Sequence, residues 1–370
     1  MTRAADSWPP RLAAEFAGEK MIIDHQKLRG IMARILRAGG ANEDEATCTA
    51  DHMVEANLAG HDSHGIGMLP SYCRSLEAGK LRPGQQPEVV HETGSIVVWD
   101  AHGGFGQVIA RDAMRWAIDT ARRHGVAVHG LRNAHHIGRV GTYGEMCAAA
   151  GLVSVHFVNG IGTAPIVAPF NGREPRYITN PICIAVPGTA NTGPTILDFA
   201  TSRLAVGKIR VAHNTHKPVM DGVLLTHDGK HTTDPEVIFS EPRGMLLPFG
   251  EHKGSGLALV CDLLCGAVMG MGTLRSEAPA IRGGVYNGML SFVLDPGRLS
   301  SRDFMETEID GLIAWAKSSA RIDPEVPVLV AGDPERIARA KRLAEGIPVD
   351  DTTWSEIREA ADKLQVRIDP

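Results

Sequence analysis

The sequence predicts a mixed α/β fold in which an α/β unit, residues 126–300, is inserted into a discontinuous, mainly helical unit built from residues 23–125 and 301–370. Three observations carry this. A chain of 370 residues is long enough for two domains, or one large and one small. Apolar residues recur at helical spacing towards both ends. Between them lie short apolar runs bounded by turn residues, which read as buried strands.

Residues 1–22 lack the apolar core of a signal peptide and read as a loose tail. Asp24 then caps a helix to about residue 38, with Leu28, Ile31, Met32, Ile35 and Leu36 on one face and Gly39-Gly40 ending it. Asn42 with Glu45 forms a capping box, and the helix it opens runs towards Leu58 and into GHDSHG. Further helices are expected over 69–78 and 107–123. VAVHGL (126–131), LVSVHFV (152–158), ICIAVP (182–187), TILDFA (195–200) and GMLSFVLDP (288–296) supply the strands. A glycine-containing helix after HHIG and an apolar one from Gly256 lie among them. Beyond 301, helices are expected over 303–320, 334–345 and 354–365, with a strand VPVLVAG at 326–332.

Composition removes several function classes. Net charge is −5 with no block of Lys or Arg, which leaves nucleic-acid and anionic-membrane binding without electrostatic support. The longest apolar run, GLALVCDLLCGAVMGMG, is short and contains Asp262, so it reads as a buried helix and not a membrane span. Cys48, Cys73, Cys147, Cys183, Cys261 and Cys265 form no CxxC pair, and most read as small core residues of a protein in a reducing cytoplasm.

A soluble α/β protein of this size invites a search for the dinucleotide fingerprint G-x-G-x-x-G, which is absent; GIGTAP (160–165) ends in proline. Four other constellations carry chemistry. In GHDSHGIGML (60–69), His64 lies before Gly65 at a helix end, where an imidazole near its ordinary pKa can move a proton and Ser63 can hydrogen-bond the ring or a substrate oxygen. A cationic helix cap and a metal site are the competing readings. In RNAHHIGRVGTYGEM (132–146), His135 and His136 occupy a strand-to-helix turn, and at most one of them faces a ligand. Gly138, Gly141 and Gly144 would form a bare helical stripe, either for a flat ligand or for tight packing. LDFATS (197–202) ends a strand in Asp198, which could equally be a cap. FGEHKGSG (249–256) sets Lys253 at a helix start suited to phosphate or carboxylate, or simply exposed in a glycine-rich loop.

In the order SHG, HHIG, TNPICIAVP, LDFATS and HKGSGLAL, these motifs resemble the type-2 malate/L-lactate dehydrogenase family from about Ile23 to Gln365, and NLAGHDSHGIGM with HHIGR is most similar to its hydroxycarboxylate dehydrogenase B branch. The resemblance implies a nicotinamide-dependent oxidoreductase, NAD or NADP with NAD favoured, on a non-Rossmann dinucleotide-binding fold, acting on a 2-oxo/2-hydroxy acid as a homodimer. It implies His64 and His136 as acid–base candidates with Ser63 beside them. It places Asp198, Phe199 and Ala200 with Asn159, Gly160 and Lys253 along the cofactor and substrate. AGDPE (331–335) matches a segment near the adenosine, giving Gly332, Asp333 and Glu335, although Ala331 and Asp333 depart from the family's P-G-E-x-E. Many members read S-H-G-x-x-R, and here that arginine is Met68. Arg139 is therefore the expected anchor for the substrate carboxylate, and Met68 an apolar wall admitting larger 2-oxo acids. Reduction of a cyclic imino acid, metal-dependent hydrolysis or elimination on the histidine cluster, and dinucleotide binding without turnover are the alternatives.

Overall fold

The computed structural model of the chain describes residues 20–214, 216–275 and 284–369. The tail expected over 1–22 lies outside these up to residue 19; its last residues open the first strand. The chain begins with β1 (Lys20–Ile23), α1 (His25–Ala38), α2 (Glu43–Leu58) and α3 (Leu69–Glu77). Strands β2 (Glu88–Thr93) and β3 (Ile96–Asp100) lead to α4 (Gly106–His124), β4 (Val126–His135), α5 (Gly141–Ala149) and β5 (Val153–Ile161). Next come β6 (Ile182–Val186), β7 (Thr195–Phe199), α6 (Val206–Asn214) and three two-residue strands, β8 (Leu224–Leu225), β9 (His231–Thr232) and β10 (Met245–Leu246). The chain closes with α7 (His252–Cys261), β11 (Tyr286–Leu294), α8 (Arg302–Lys317), α9 (Asp333–Glu345), β12 (Ile347–Asp350) and α10 (Asp351–Lys363).

The caps behave as the sequence predicts. Asp24 accepts from the backbone N–H groups of Gln26 and Lys27, and Asn42 and Glu45 form the reciprocal capping box. The first core joins α1, α2, α3 and α10 with the β1–β12 pair, so both ends of the chain share one apolar cluster.

The central sheet has the order β2-β3-β4-β11-β5-β6-β7, with β3 and β4 parallel and the other neighbours antiparallel. Helices α4 and α5 cover one face through Ala110, Ala113, Met114, Ala117 and Cys147 packed on Leu131, Val158, Cys183 and Val293. The opposite face is covered in part by α7 and the π-helical turn Asp262–Val268 that continues it.

Two expectations need correction, and two strands were not anticipated. The run 326–332 forms no strand: Val330 N–H donates to the Asp333 carboxylate and Asp333 N–H to the Val330 carbonyl, so the segment turns into the start of α9. The apolar run from Gly256 is not buried all round, because Leu259, Leu263 and Val268 are 45%, 46% and 73% exposed. Strands β2 and β3 escape the sequence reading: β2 is exposed along its whole length and carries Glu88, His91 and Glu92, so it lacks the apolar alternation of a half-buried strand.

Candidate active site

The SHG segment is a pair of 3₁₀ turns, Asp62–His64 and Ile66–Met68, between α2 and α3. Asn57 ties it down from the last turn of α2: its Nδ2 donates to Asp62 Oδ1 (2.6 Å) and its Oδ1 accepts from Ile66 N–H (2.8 Å). Arg342 of α9 donates to both Asp62 oxygens (2.6 and 3.0 Å). The turn is therefore fixed by a paired carboxylate, and His64 and Ser63 are presented from a rigid base. Ser63 Oγ lies 3.0 Å from His64 Nδ1.

The HHIG segment meets it from the end of β4. Gly138 has φ +76°, and a Cβ there would fall 2.3 Å from His52 Nε2, so glycine is required on both counts. His52 in turn accepts the Arg139 backbone N–H (2.8 Å). This turn aims His136 at His64: the two rings stack with centroids 5.6 Å apart and planes 9° from parallel. His135 points the other way, edge-on to Tyr72 and Tyr286 at 5.4 and 6.2 Å, and is a buried packing residue.

Burial disfavours charge on both stacked rings. His64 falls to about 4, with Asp198 raising it and His61 and Arg139 lowering it further. His136 is pushed well below the usual histidine range by burial and by the neighbouring His64, His135 and His52. The expectation of an imidazole near its ordinary pKa is thus corrected: the half-buried pair is neutral at pH 7.

Asp198, at the end of β7, acts on His64 through its charge. Its Oδ2 accepts the Gly141 N–H (2.8 Å) at the start of α5, so it does cap a helix, and it also lies 3.5 Å from Arg139 Nε. Arg139 is 1% exposed and donates to Glu145 (2.8 Å). Burial opposes its charge, but the Glu145 and Asp198 carboxylates outweigh burial and raise its pKa. Its Nε and Nη2, the side-on edge of the guanidinium, have no hydrogen-bond partner. Met68 ends the second 3₁₀ turn and packs half-buried against the first core.

The other predicted residues divide into two groups. Glu335 and Gly332 line a cavity of ≈ 260 Å³ with Glu145, Ile196, Arg336 and Arg339, and Glu335 reaches back to His61 Nε2 (3.0 Å). Lys253 is exposed in the first turn of α7, next to Gly254, whose surroundings include the Thr201 carbonyl just past β7. Phe199 packs edge-on to Phe249 at 5.5 Å, with Ala200 following directly after the strand. By contrast, Asp333 is engaged by Val330 N–H, Arg336 and Lys317. Asn159 is fully buried, donating to Asp262 (3.0 Å), and Gly160 follows it in β5.

The glycine stripe is not one stripe. Helix α5 starts at Gly141, so Gly138 lies before it, and Gly144 faces Cys183 and Ala185 of β6, where a Cβ would meet sulfur at 2.8 Å. Close helix–sheet packing, and not a flat ligand, explains that position. Tyr72, Gln107 and His52 are site residues without any sequence motif, and Glu145 lies within the HHIG stretch without having been singled out. Tyr72, Gln107 and His52 are buried, and ordinary helical periodicity accounts for each of them. Among the described residues, no group of three or more His, Cys, Asp or Glu side chains could hold a metal ion.

Comparison with known proteins identifies the family. The model of the family described as malate/L-lactate dehydrogenase matches residues 23–358. Hydroxycarboxylate dehydrogenase B of Escherichia coli K12 is 42% identical over 92% of this chain and 94% of its own length. An L-lactate dehydrogenase of Cupriavidus necator is 36% identical over 94% and 99%. The solved sulfolactate dehydrogenase of Methanocaldococcus jannaschii superposes with a TM-score of 0.80 at 32% identity, covering 94% of this chain and 98% of that one. The chain belongs to the malate/L-lactate dehydrogenase family of nicotinamide-dependent 2-hydroxy acid oxidoreductases.

Proposed function

We propose that the protein catalyses reversible hydride transfer between NAD(H) and a 2-oxo/2-hydroxy acid bearing a larger or more apolar side chain than pyruvate, and that His136 hydrogen-bonds the reacting oxygen, whose proton is exchanged with water. The stacked His64–His136 pair, with the Asp198 charge acting on His64, is the observation that carries this reading. The nicotinamide supplies the hydride chemistry, and the protein orients it and the acid. A neutral His136 hydrogen-bonds the carbonyl oxygen and stabilises the developing alkoxide, as a low-pKa imidazole can. Ser63 holds the ring of His64.

Arg139 anchors the substrate carboxylate, a role supported by Nε and Nη2 atoms that make no hydrogen bond, and a carboxylate taking this edge displaces Asp198, which lies 3.5 Å from Nε. Since the side chain is 1% exposed, the pocket must widen when the acid binds. Met68, in place of a cation, gives the apolar wall.

The cavity beside Gly332 and Glu335 fits part of a dinucleotide, being somewhat smaller than the roughly 300–1,000 Å³ of a whole small-molecule site. Its cations are already committed, Arg336 to Asp333 and the Pro194 carbonyl and Arg339 to Glu55. With Glu145 and Glu335 also lining it, the cavity favours a ribose hydroxyl over a 2′-phosphate, hence NAD over NADP. Asp198, Phe199, Ala200, Asn159, Gly160 and Lys253 lie towards the rest of the cofactor. We place the protein in the cytoplasm, a reading supported by its six free cysteines.

The test is loss of reduced-nicotinamide absorbance with NADH or NADPH against pyruvate, oxaloacetate, phenylpyruvate, hydroxyphenylpyruvate and a cyclic imino acid. Oxidation of NADH by the aromatic oxo acids is expected. Turnover of the imine alone would replace the substrate class. A requirement for metal, or tight cofactor binding with no turnover, would replace the reaction.

A further inference from the structure

A buried chain of hydrogen bonds reaches His136 from behind, and the reading of His136 as the residue at the reacting oxygen makes no use of it. Gln107, in the first turn of α4 and 1% exposed, donates from Nε2 to Tyr72 Oη at 2.6 Å. Tyr72, on α3 and also 1% exposed, lies 2.6 Å from His136 Nδ1 through the same oxygen. Its ring is clamped edge-on by His135 at 5.4 Å, so the hydroxyl has one place to be.

With Gln107 Nε2 towards the phenol oxygen, the donor count along this chain sets where the protons sit. The Gln107 amide gives a hydrogen to the phenol oxygen, so that oxygen is the acceptor in the first contact. Its own hydrogen is left for the second contact, where His136 Nδ1 must accept it. An imidazole that accepts at Nδ1 and is neutral carries its proton at Nε2. Burial keeps Tyr72 protonated, raising its pKa well above the ordinary phenol value, and keeps His136 neutral, which agrees with the same assignment.

We propose that Tyr72 and Gln107 are positioning residues that lock His136 in its Nε2–H tautomer, so that the site always offers the reacting oxygen of the substrate a hydrogen-bond donor. The inference rests on the His136 reading given above, but it concerns a different pair of side chains and a different property. It also gives a purpose to two polar side chains set against apolar cores, where a Phe and a Leu would fill space equally well. A tyrosine present only for packing would leave the histidine free to choose its tautomer.

The decisive measurement is the ¹⁵N spectrum of protein labelled at histidine, with His136 assigned by its loss in His136→Asn. The wild-type protein should show a protonated Nε2 and an unprotonated Nδ1. Tyr72→Phe keeps the ring and removes the hydroxyl. It should mix or reverse the two nitrogen signals and lower kcat by roughly 10- to 100-fold, with the KM for the oxo acid nearly unchanged. Gln107→Met should act in the same direction with a smaller loss, since Tyr72 is then free to turn its hydrogen away. An Nδ1–H tautomer in the wild type overturns the proposal whether or not either variant folds. Unchanged nitrogen signals and kcat in Tyr72→Phe overturn it as well. If His136→Asn turns over normally, the catalytic reading of His136 fails on its own account, while the tautomer measured in the wild type still decides what Tyr72 and Gln107 do.

Discussion

Acid is felt first through buried imidazoles. His52 and His129 fall to about 3 and His64, His135 and His156 to about 4, in each case mainly through burial. Each binds a proton in the unfolded chain near pH 6.5 but resists it when folded. The unfolded state therefore holds more protons between about pH 6.5 and 4, and stability falls as pH drops through that window, by up to about 1.4 kcal/mol per pH unit for each such group. Urea midpoints should be level from pH 8 to 7 and decline steeply below 6.5; a level profile down to pH 5 would show that these rings are not buried and neutral. The kcat/KM for reduction should likewise show no inflection near 6.5, because neither stacked histidine titrates there in the free enzyme. Replacing His136 with Ala should cost roughly 10²–10⁴ in kcat with little change in NADH binding, measurable by turnover beside cofactor fluorescence titration. Substituting Met68→Arg should shift preference from phenylpyruvate towards oxaloacetate, since it returns a carboxylate-binding fork to the wall. An unchanged preference would remove Met68 from the substrate pocket.

At the scale of elements, the division between what the sequence disclosed and what it concealed has a physical pattern. Caps at Asp24 and Asn42 and the apolar strands β4, β5, β6, β7 and β11 were legible because each signal is local. Strand β2 was not legible, because its exposed polar residues make it a strand only by pairing with β3. VPVLVAG misled for the converse reason: apolar β-branched residues do not form a strand without an edge to join, and Asp333 closes the segment into a turn instead. At the site, His64 and His136 were found through motifs, whereas Tyr72, Gln107 and His52 sit on helices whose spacing looks like ordinary core. The neutral state of the pair was also hidden, since burial is a property of the assembled fold. Gly144 offers a test of the packing account of the glycine helix. Valine there must push against Cys183 Sγ and Ala185 Cβ of β6 and should cost about 1–3 kcal/mol of stability. If the glycine served the cofactor instead, Gly144→Val would raise the KM for NADH and leave the urea midpoint in place.

For the whole molecule, the unresolved matter is where so much apolar surface goes. On the sheet face away from α4 and α5, Ile184, Leu197 and Phe292 are 37%, 43% and 39% exposed, because the pleat turns alternate residues of β6, β7 and β11 to that side. Leu259, Leu263 and Val268 lie exposed on α7 and its π-helical continuation. Helix α8 buries none of its residues, yet it carries Phe304, Leu312 and Trp315 at 63%, 63% and 75% exposure. Exposed apolar side chains grouped on one element in this way are costly to leave in water and mark an interface. Among the described residues no helix is long and apolar enough to cross a membrane. A second copy of the chain, the assembly that the family resemblance implies, would cover them with like surface, as two-fold interfaces do. We therefore expect a homodimer, with light scattering giving twice the 39.6 kDa of one chain. Placing a charge at the centre of the helical patch, as in Trp315→Glu, should shift the population to monomer, and because burial is lost with the interface it should also lower the thermal midpoint. A monomeric wild type would refute this, as would a dimer whose mass and midpoint ignore the substitution, and α8 would then need a different partner.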